Sequence, residues 1–372
     1  MVVAQNRPTR LLISKAAVAH NLAETRKAAH AKTVFLAVKA NAYGFGLLEV
    51  SKAAIDGGAD GLAVAVIDEA LALREAGFTC PILIMSLIQP EYAGIAAANN
   101  FITTVASIDW LGQAAKYING DVPLRVSVAV DTGMGRIGYR DRAEIDASLN
   151  YMEDNASLFT YYGLMTHFSQ ADSEKVDYFH KQLARWHELT DTLPKPPMIH
   201  VANSGAAMYH ADEIPHDVIR AGTVVYGIEP SLGELRKDDY LQQIERLETE
   251  LVFVKQMHEG DGISYGHIYH AHEGEWIGTV ALGYGDGLMR KLTGFHVLVN
   301  GQECPIVGKL AMDAMMIKLP GNLPVGTKVT VLGTDGDKTI RLDDWADYIG
   351  IAPWELSIIF QDRLKRELVE RF

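Results

Sequence analysis

The chain is poor in cysteine, with only Cys80 and Cys304 among 372 residues. So few thiols give no disulfide framework, and a chain of this length buries a large core without one. Both lie in apolar surroundings, Thr79-Cys80-Pro81-Ile82 and Glu303-Cys304-Pro305-Ile306. A single disulfide between them is the alternative to the expected reading, two buried free thiols in a reducing cytosol. Long apolar runs are missing too: none approaches the ~20 residues that span a bilayer. Met1 to Arg7 has no signal-peptide apolar core. The expectation is a cytoplasmic protein. Basic runs are also absent. Lys plus Arg number 34 against 47 Asp plus Glu, for a net charge of −13. That balance disfavours nucleic acid and anionic membranes as partners. With 48% hydrophobic and 22% charged residues, the composition is that of a folded globular protein and not a disordered one.

What is present is a rhythm of short apolar, β-branched runs. They cover residues 33–38, 61–66, 81–85, 101–105, 124–130, 161–165, 198–201 and 218–225. Most are continuous rather than alternating, as in strands buried on both faces of a parallel sheet. Helical spacing lies between them: Val176, Phe179, Leu183, Trp186 and Leu189 would line one face. Ser14 is a good N-cap before Ala17, Val18 and Leu22. Eight strands alternating with helices predict an α/β fold, a (β/α)8 TIM-type barrel, with an open doubly wound sheet as the alternative.

After about residue 240 the texture changes. Runs at 251–254, 276–282, 296–299, 304–307, 315–319 and 328–332 read as short strands, and Asn300-Gly301 is a type I′ hairpin signal. Helical patterning returns at Leu342 to Ile349. The expected division is a barrel over 1–238 and a mostly β domain over 239–372, joined by the polar stretch Glu229 to Tyr240.

Barrel chemistry sits where strands end. Lys39 closes the first run, Arg136 follows the fifth, His167 the sixth, Asn203-Ser204-Gly205 the seventh, and Arg220 with Gly222-Thr223 falls at the eighth. Each has a plain reading: Lys39 as a surface cation, Arg136 as a partner of Asp131, His167 as a hydrogen-bonded core residue. Their joint placement on one rim favours function. A partly desolvated lysine becomes a usable amine. The loops after strands seven and eight are the usual barrel phosphate site. Lysine and phosphate site together point to pyridoxal 5′-phosphate (PLP).

Several motifs are specific in combination. They are Ala37-Val38-Lys39-Ala40-Asn41-Ala42-Tyr43-Gly44, Asp131-Thr132-Gly133-Met134-Gly135-Arg136-Ile137-Gly138, Met165-Thr166-His167-Phe168, Ala202-Asn203-Ser204, Arg220-Ala221-Gly222, Ser264-Tyr265-Gly266, Gly283-Tyr284-Gly285-Asp286-Gly287 and Gly308-Lys309-Leu310-Ala311-Met312-Asp313. Over nearly its whole length the chain resembles the alanine racemases, PLP enzymes with an N-terminal barrel and a C-terminal β domain. The resemblance implies that Lys39 bonds the cofactor and is one catalytic base. Tyr265 would be the opposite base, supplied by the second subunit of a homodimer. Arg136 would hold the cofactor's phenolic oxygen and the substrate carboxylate, with Met312 lending its backbone. Tyr43, Ser204, Gly222 and Thr223 would hold the phosphate. Arg220 would face the pyridine nitrogen, with His167 linking it toward Tyr265. Tyr284 and Arg290 would line the substrate entrance. The implied reaction is interconversion of L- and D-alanine for cell-wall synthesis, with a serine or broad-range racemase as the alternative.

The chain also departs from the family. Most relatives carry a carbamylated lysine two residues before the Asp of Asp131-Thr132-Gly133; here it is Ala129, so Arg136 needs another partner, an anion or a neighbouring side chain. A late phosphate-binding tyrosine is replaced by Trp354, which donates but cannot accept. An arginine becomes Lys309 and a cysteine Ala311. Two competing signals remain. Gly133 to Gly138 fits G-x-G-x-x-G with Glu153 downstream, a dinucleotide pattern that would make the chain an NAD-dependent oxidoreductase. His267, His270 and His272 suggest a metal, but no cysteine or clear carboxylate completes the set, and a solvated loop with no metal is the expectation.

Overall fold

The computed structural model describes residues 2–119, 122–214, 218–235 and 240–372. The chain forms two compact units. One comprises Ala17–Ala42 and Val50–Gln242; the other Met1–Ala16, Tyr43–Glu49 and Gln243–Phe372. The boundary expected at 238/239 lies outside the described residues.

The first strand, β1 (Arg10–Ser14), belongs to the second unit. The first unit holds β2 (Thr33–Ala37), β3 (Gly61–Val64), β4 (Ile82–Ile84), β5 (Ile102–Val105), β6 (Leu124–Ala129), β7 (Phe159–Met165), β8 (Met198–His200) and β9 (Val218–Ala221). Each of the eight apolar runs coincides with one of these strands. They pair in parallel in the order β8-β7-β6-β5-β4-β3-β2-β9. The Arg220 N–H donates to the Ala202 carbonyl at 3.0 Å, drawing β9 toward the end of β8 and nearly closing the barrel. Phe35, Ala63, Leu83, Ile102, Met198 and Val218 fill its interior. Gly61 makes room for Phe35: a Cβ there would lie 2.7 Å from the ring. The last run, 218–225, stops being a strand at Ala221, and Thr223–Tyr226 is a 3-10 turn. Burial on both strand faces accounts for the continuous apolar runs.

In the second unit, β10 (Glu245–Gln256) is the central strand. It is followed by β11 (Gly262–Ile263), β12 (Tyr269–His270), β13 (Trp276–Val280), β14 (His296–Val299), β15 (Gln302–Pro305), β16 (Met315–Leu319), β17 (Lys328–Asp335), β18 (Lys338–Ile340) and β19 (Lys365–Val369). The main path runs β15-β14-β17-β10-β1-β19. Here the expected division at 238/239 differs from the compact units. β1 is inserted between β10, antiparallel, and β19, parallel, which buries Leu11 and Ile13. Residues 1–16 therefore go with the β unit. β10 is also longer than the expected 251–254: Glu245, Leu247 and Thr249 point inward and alternate with more exposed neighbours. Asn300 and Gly301 join β14 to β15 with φ of 51° and 74°, the two positive values a type I′ turn needs. The helix Leu342–Ile349 falls where its patterning places it. Both cysteines are unpaired, Cys304 buried and Cys80 only half-buried. Among the described residues no helix is long and apolar enough to cross a membrane.

Glu245 is a charged residue type at a core position. Its Oε1 accepts from Gln243 Nε2 at 3.2 Å, while Oε2 is buried with no hydrogen-bond partner among the described residues. Burial, with Asp343 adding to it, Arg341 opposing, pushes the carboxyl up to about 8. The folded chain therefore keeps a proton that the unfolded chain releases from about 4.5 upward, so this group's contribution to stability falls as pH rises from about 4.5 to about 8. Glu245→Gln mimics the protonated form. The gap between its melting temperature and that of the native chain should widen in its favour between pH 5 and pH 8.5, by a few degrees. Circular-dichroism melts at both pH values check this; an identical gap would contradict it.

Candidate active site

Lys39 follows the end of β2. The chain then makes a left-handed turn through Ala40, Asn41, Ala42 and Tyr43, with φ between 51° and 54°. Such a turn disfavours side-chain-bearing residues by about 1–2 kcal/mol each, so it must be held. Glu69 holds it by accepting from Ala40 N at 2.6 Å and Ala65 N at 2.9 Å. The Tyr226 hydroxyl donates to Ala37 O at 2.8 Å. Burial lowers the Lys39 amine pKa, as do Arg136 and Arg220, while Glu69 opposes them.

Arg136 is exposed on a loop that returns to its own strand. Asp131 Oδ1 accepts from Gly133 N and Gly135 N, both at 3.0 Å, so that oxygen braces the loop backbone. Tyr139 N donates to Ala129 O at 2.9 Å, and Gly138, at φ 128°, lets the backbone pass Asp131. The glycines of G-x-G-x-x-G thus close a barrel loop, and the next helix starts only at Arg142. That removes the dinucleotide reading.

Arg220 is buried at the centre of the rim. It donates to Thr166 O at 2.9 Å, His200 Nδ1 at 2.9 Å, His200 O and Val201 O, and lies 3.4 Å from His167 Nδ1. Burial and Arg136 lower its guanidinium to about 9, still charged at neutral pH. His167 is pushed down to about 3 by burial and then by Arg220, Arg136 and Lys39. It is therefore neutral, and its Nδ1 must be the acceptor toward Arg220. His200, also held neutral, contacts Ser127 Oγ at 2.8 Å through Nε2.

Ser204 opens a short helix capped by Asn203, whose side chain accepts from Ala206 N at 3.0 Å. Ser204 Oγ accepts from Gly222 N at 2.9 Å, bringing together the loops after β8 and β9. Thr223 begins the next turn. Tyr43 belongs to the other unit, where Gly44 packs against the Ser357 carbonyl of the helix Pro353–Ser357 that carries Trp354. Burial pushes the Tyr43 phenol up to about 12, so it stays a donor.

Tyr265, Met312, Tyr284 and Arg290 all lie in the β unit, on linked loops. Tyr265 sits between β11 and β12 and is 68% exposed; Met312 is 52% exposed. Ser264 Oγ donates to Lys309 O at 2.6 Å. Tyr284 N donates to Ala311 O at 3.1 Å and Gly285 N to Met312 O at 2.8 Å. The Arg290 guanidinium lies 5.4 Å from the Tyr284 ring centre. Nearby histidines pair with glutamates, His258 with Glu273 and His272 with Glu259, and no metal-holding group of three occurs among the described residues.

Two families of sequence are matched: "Alanine racemase, N-terminal domain" over residues 13–230 and "Alanine racemase, C-terminal domain" over 244–368. The chain belongs to the alanine racemase family. A lysine racemase of Oenococcus oeni is 45% identical over the full length of both chains. The crystal structure of alanine racemase from the same organism matches with a TM-score of 0.94 and 44% identity, covering 99% of this chain and 100% of that one. A histidine racemase from Leuconostoc mesenteroides subsp. sake matches with a TM-score of 0.96 and 34% identity, with the same coverage. Alanine racemases are PLP enzymes, and PLP is the cofactor of this chain. Its residues fit that group. Lys39 offers an amine of lowered pKa, and Ser204, with its oxygen already accepting from Gly222, keeps its proton for a phosphate.

Gln182 escapes the sequence pattern, which puts Leu183 on the buried face. It is 0% exposed. Its Oε1 accepts from Ser169 N and Oγ, and its Nε2 donates to His167 O at 3.0 Å and Thr132 Oγ1 at 3.2 Å. One amide thus ties the His167 segment to the start of the Arg136 loop. Only its polarity inside an apolar stripe could have signalled it. Gln182→Leu strands several buried groups, each costing about 1–3 kcal/mol. The melting temperature should fall by roughly 5 °C or more; a drop under about 1 °C in a calorimetric scan would exclude the anchoring role.

Proposed function

We propose that this racemase interconverts L- and D-alanine by moving the α-proton between two bases, Lys39 on one face and Tyr265 of the partner subunit on the other, supplying D-alanine for cell-wall synthesis. The observation that carries the reading is the state of Lys39. Its amine is made less basic than a free lysine's by burial and by Arg136 and Arg220, while Glu69 opposes them, and a less basic amine is more readily available in its uncharged, nucleophilic form. Racemisation needs a second base on the opposite side, and the exposure of Tyr265 and Met312 leaves both available to another copy of the chain. Bound PLP supplies the electron sink that makes the α-proton acidic.

The chain's own residues do the rest. Arg136 takes the substrate carboxylate, with the Met312 backbone beside it. On the barrel unit, Ser204, Gly222 and Thr223 would hold the phosphate; the family resemblance adds Tyr43 and Trp354 to that role and gives Tyr284 and Arg290 the substrate entrance. Arg220 would serve the pyridine nitrogen as a donor that cannot take its proton. Neutral His167 passes the pull of Arg220 toward Tyr265 by hydrogen bonding, since it carries no charge itself. The charges acting on Lys39 are two arginines against one glutamate. The alanine reading is supported by the family to which the chain belongs. A second reading, a racemase for lysine or histidine, draws on the names of two relatives.

Chiral chromatography after incubation of the holoenzyme with L-alanine, L-serine, L-lysine and L-histidine separates the two. Alanine should give the highest kcat/KM, and Lys39→Ala and Tyr265→Phe should each lower it by at least about 10²-fold. Lysine or histidine turning over faster than alanine would replace the alanine reading. Full activity in Tyr265→Phe would remove the two-base mechanism.

A further inference from the structure

Arg7 lies ahead of β1, distant in sequence from every loop assigned to the substrate. It nevertheless ends among them. Its Nη1 donates to Asp286 Oδ1 at 2.8 Å, and its Nη2 to the carbonyls of Ala281 and, at 3.0 Å, Asp313. Asp286 is 1% exposed. The same Oδ1 takes Arg363 Nε at 2.9 Å, and Oδ2 accepts from Gly283 N at 2.9 Å. Arg363 in turn reaches Asp313 Oδ1 at 2.8 Å. One buried carboxylate and two guanidinium forks therefore join the 281–286 loop, which carries Tyr284, to the residue after Met312. The join is tight: a Cβ on Gly283 would lie 2.4 Å from Ala311 O, and one on Gly285 2.9 Å from Met312 O.

We infer that Arg7 is a positioning residue for the substrate-side loops, setting the relation of Tyr284 to the Met312 backbone for the active site completed by the partner subunit. The inference rests on the shared-site reading above. A planar fork serves the carboxylate from one nitrogen and the two carbonyls from another, whereas an ammonium would have to reach all three acceptors from a single atom. Removing it leaves Asp286 with one guanidinium and frees two carbonyls.

In the holoenzyme, Arg7→Met should raise KM for alanine about 5- to 10-fold, with kcat within about twofold, because ground-state placement of the carboxylate is what loosens. Arg7→Lys should fall between the two and guards against a Met variant that folds poorly. In the cofactor-free protein, amide exchange at Gly283 and Gly285 should quicken by about tenfold in Arg7→Met, since their acceptors lose their anchor. Unchanged exchange there would overturn the inference without reference to activity. Differently tagged subunits then locate the effect. In a Lys39→Ala/Arg7→Met heterodimer, the one competent site draws its loops from the subunit with native Arg7, and KM should return to the native value. A KM that stays raised would place Arg7's action in its own subunit and overturn the inference. A Lys39→Ala/Tyr265→Phe heterodimer is the control: recovered activity upholds the shared site. Its absence would sink that reading and the action across subunits with it.

Discussion

Arg220 puts a positive charge inside an apolar barrel, and the rim is organised around satisfying it. A buried guanidinium is tolerable only if its donors find partners. Here it has the carbonyls of Thr166, His200 and Val201 and the ring nitrogens of two histidines. Those acceptors come from the ends of β7 and β8, so satisfying the charge also fixes where these strands stop. The same charge governs its neighbours. It helps to keep His167 and His200 neutral and adds to the lowering of the Lys39 amine. A neutral His167 can transmit only hydrogen-bond polarisation, so the positive charge at this end of the barrel is carried by Arg220 itself.

The β unit solves the opposite problem. Asp286 is a buried anion whose two oxygens receive two guanidinium groups and a backbone N–H. Charge-assisted bonds of this kind are stronger and more directional than neutral ones. The loops they hold contain tightly packed glycines, where small displacements meet backbone atoms at once. A stiff mount is what a loop needs if its backbone is to hold a carboxylate by geometry rather than by charge.

The barrel was legible because its signal is local. A strand buried on both faces must be apolar throughout, and each of the eight runs marks one. The hairpin at Asn300-Gly301 was legible for the same reason: two residues set its geometry. What stayed hidden depends on distant partners. The five residues of β1 carry no mark of β10 and β19, which lie more than two hundred residues away. Charged Glu245, Arg246 and Glu248 masked half of β10, since a strand with one exposed face tolerates charge there, and Glu245 breaks even that rule. Among site residues, Lys39, Arg136, His167 and Arg220 stood at strand ends where chemistry is expected. Gln182 and Arg7 act through hydrogen bonds to remote backbone, and no spacing rule reports that. Asp286 was visible inside its glycine motif, but its two arginine partners were not.

Position 129, at the root of the Arg136 loop, is an alanine. A charged group there would steady Arg136 from the side. In this chain the loop is closed from within: Asp131 binds two of its N–H groups, and Tyr139 returns to Ala129 through the backbone. Gln182 holds Thr132 at the loop's root, and Thr132 contacts Thr166 at 2.8 Å. These contacts fix the path of the backbone up to Gly135, one residue short of Arg136. The guanidinium itself is left exposed. With alanine at position 129, the path of the loop that carries Arg136 is set by backbone contacts and by Asp131 and Gln182, with no side chain at 129 taking part.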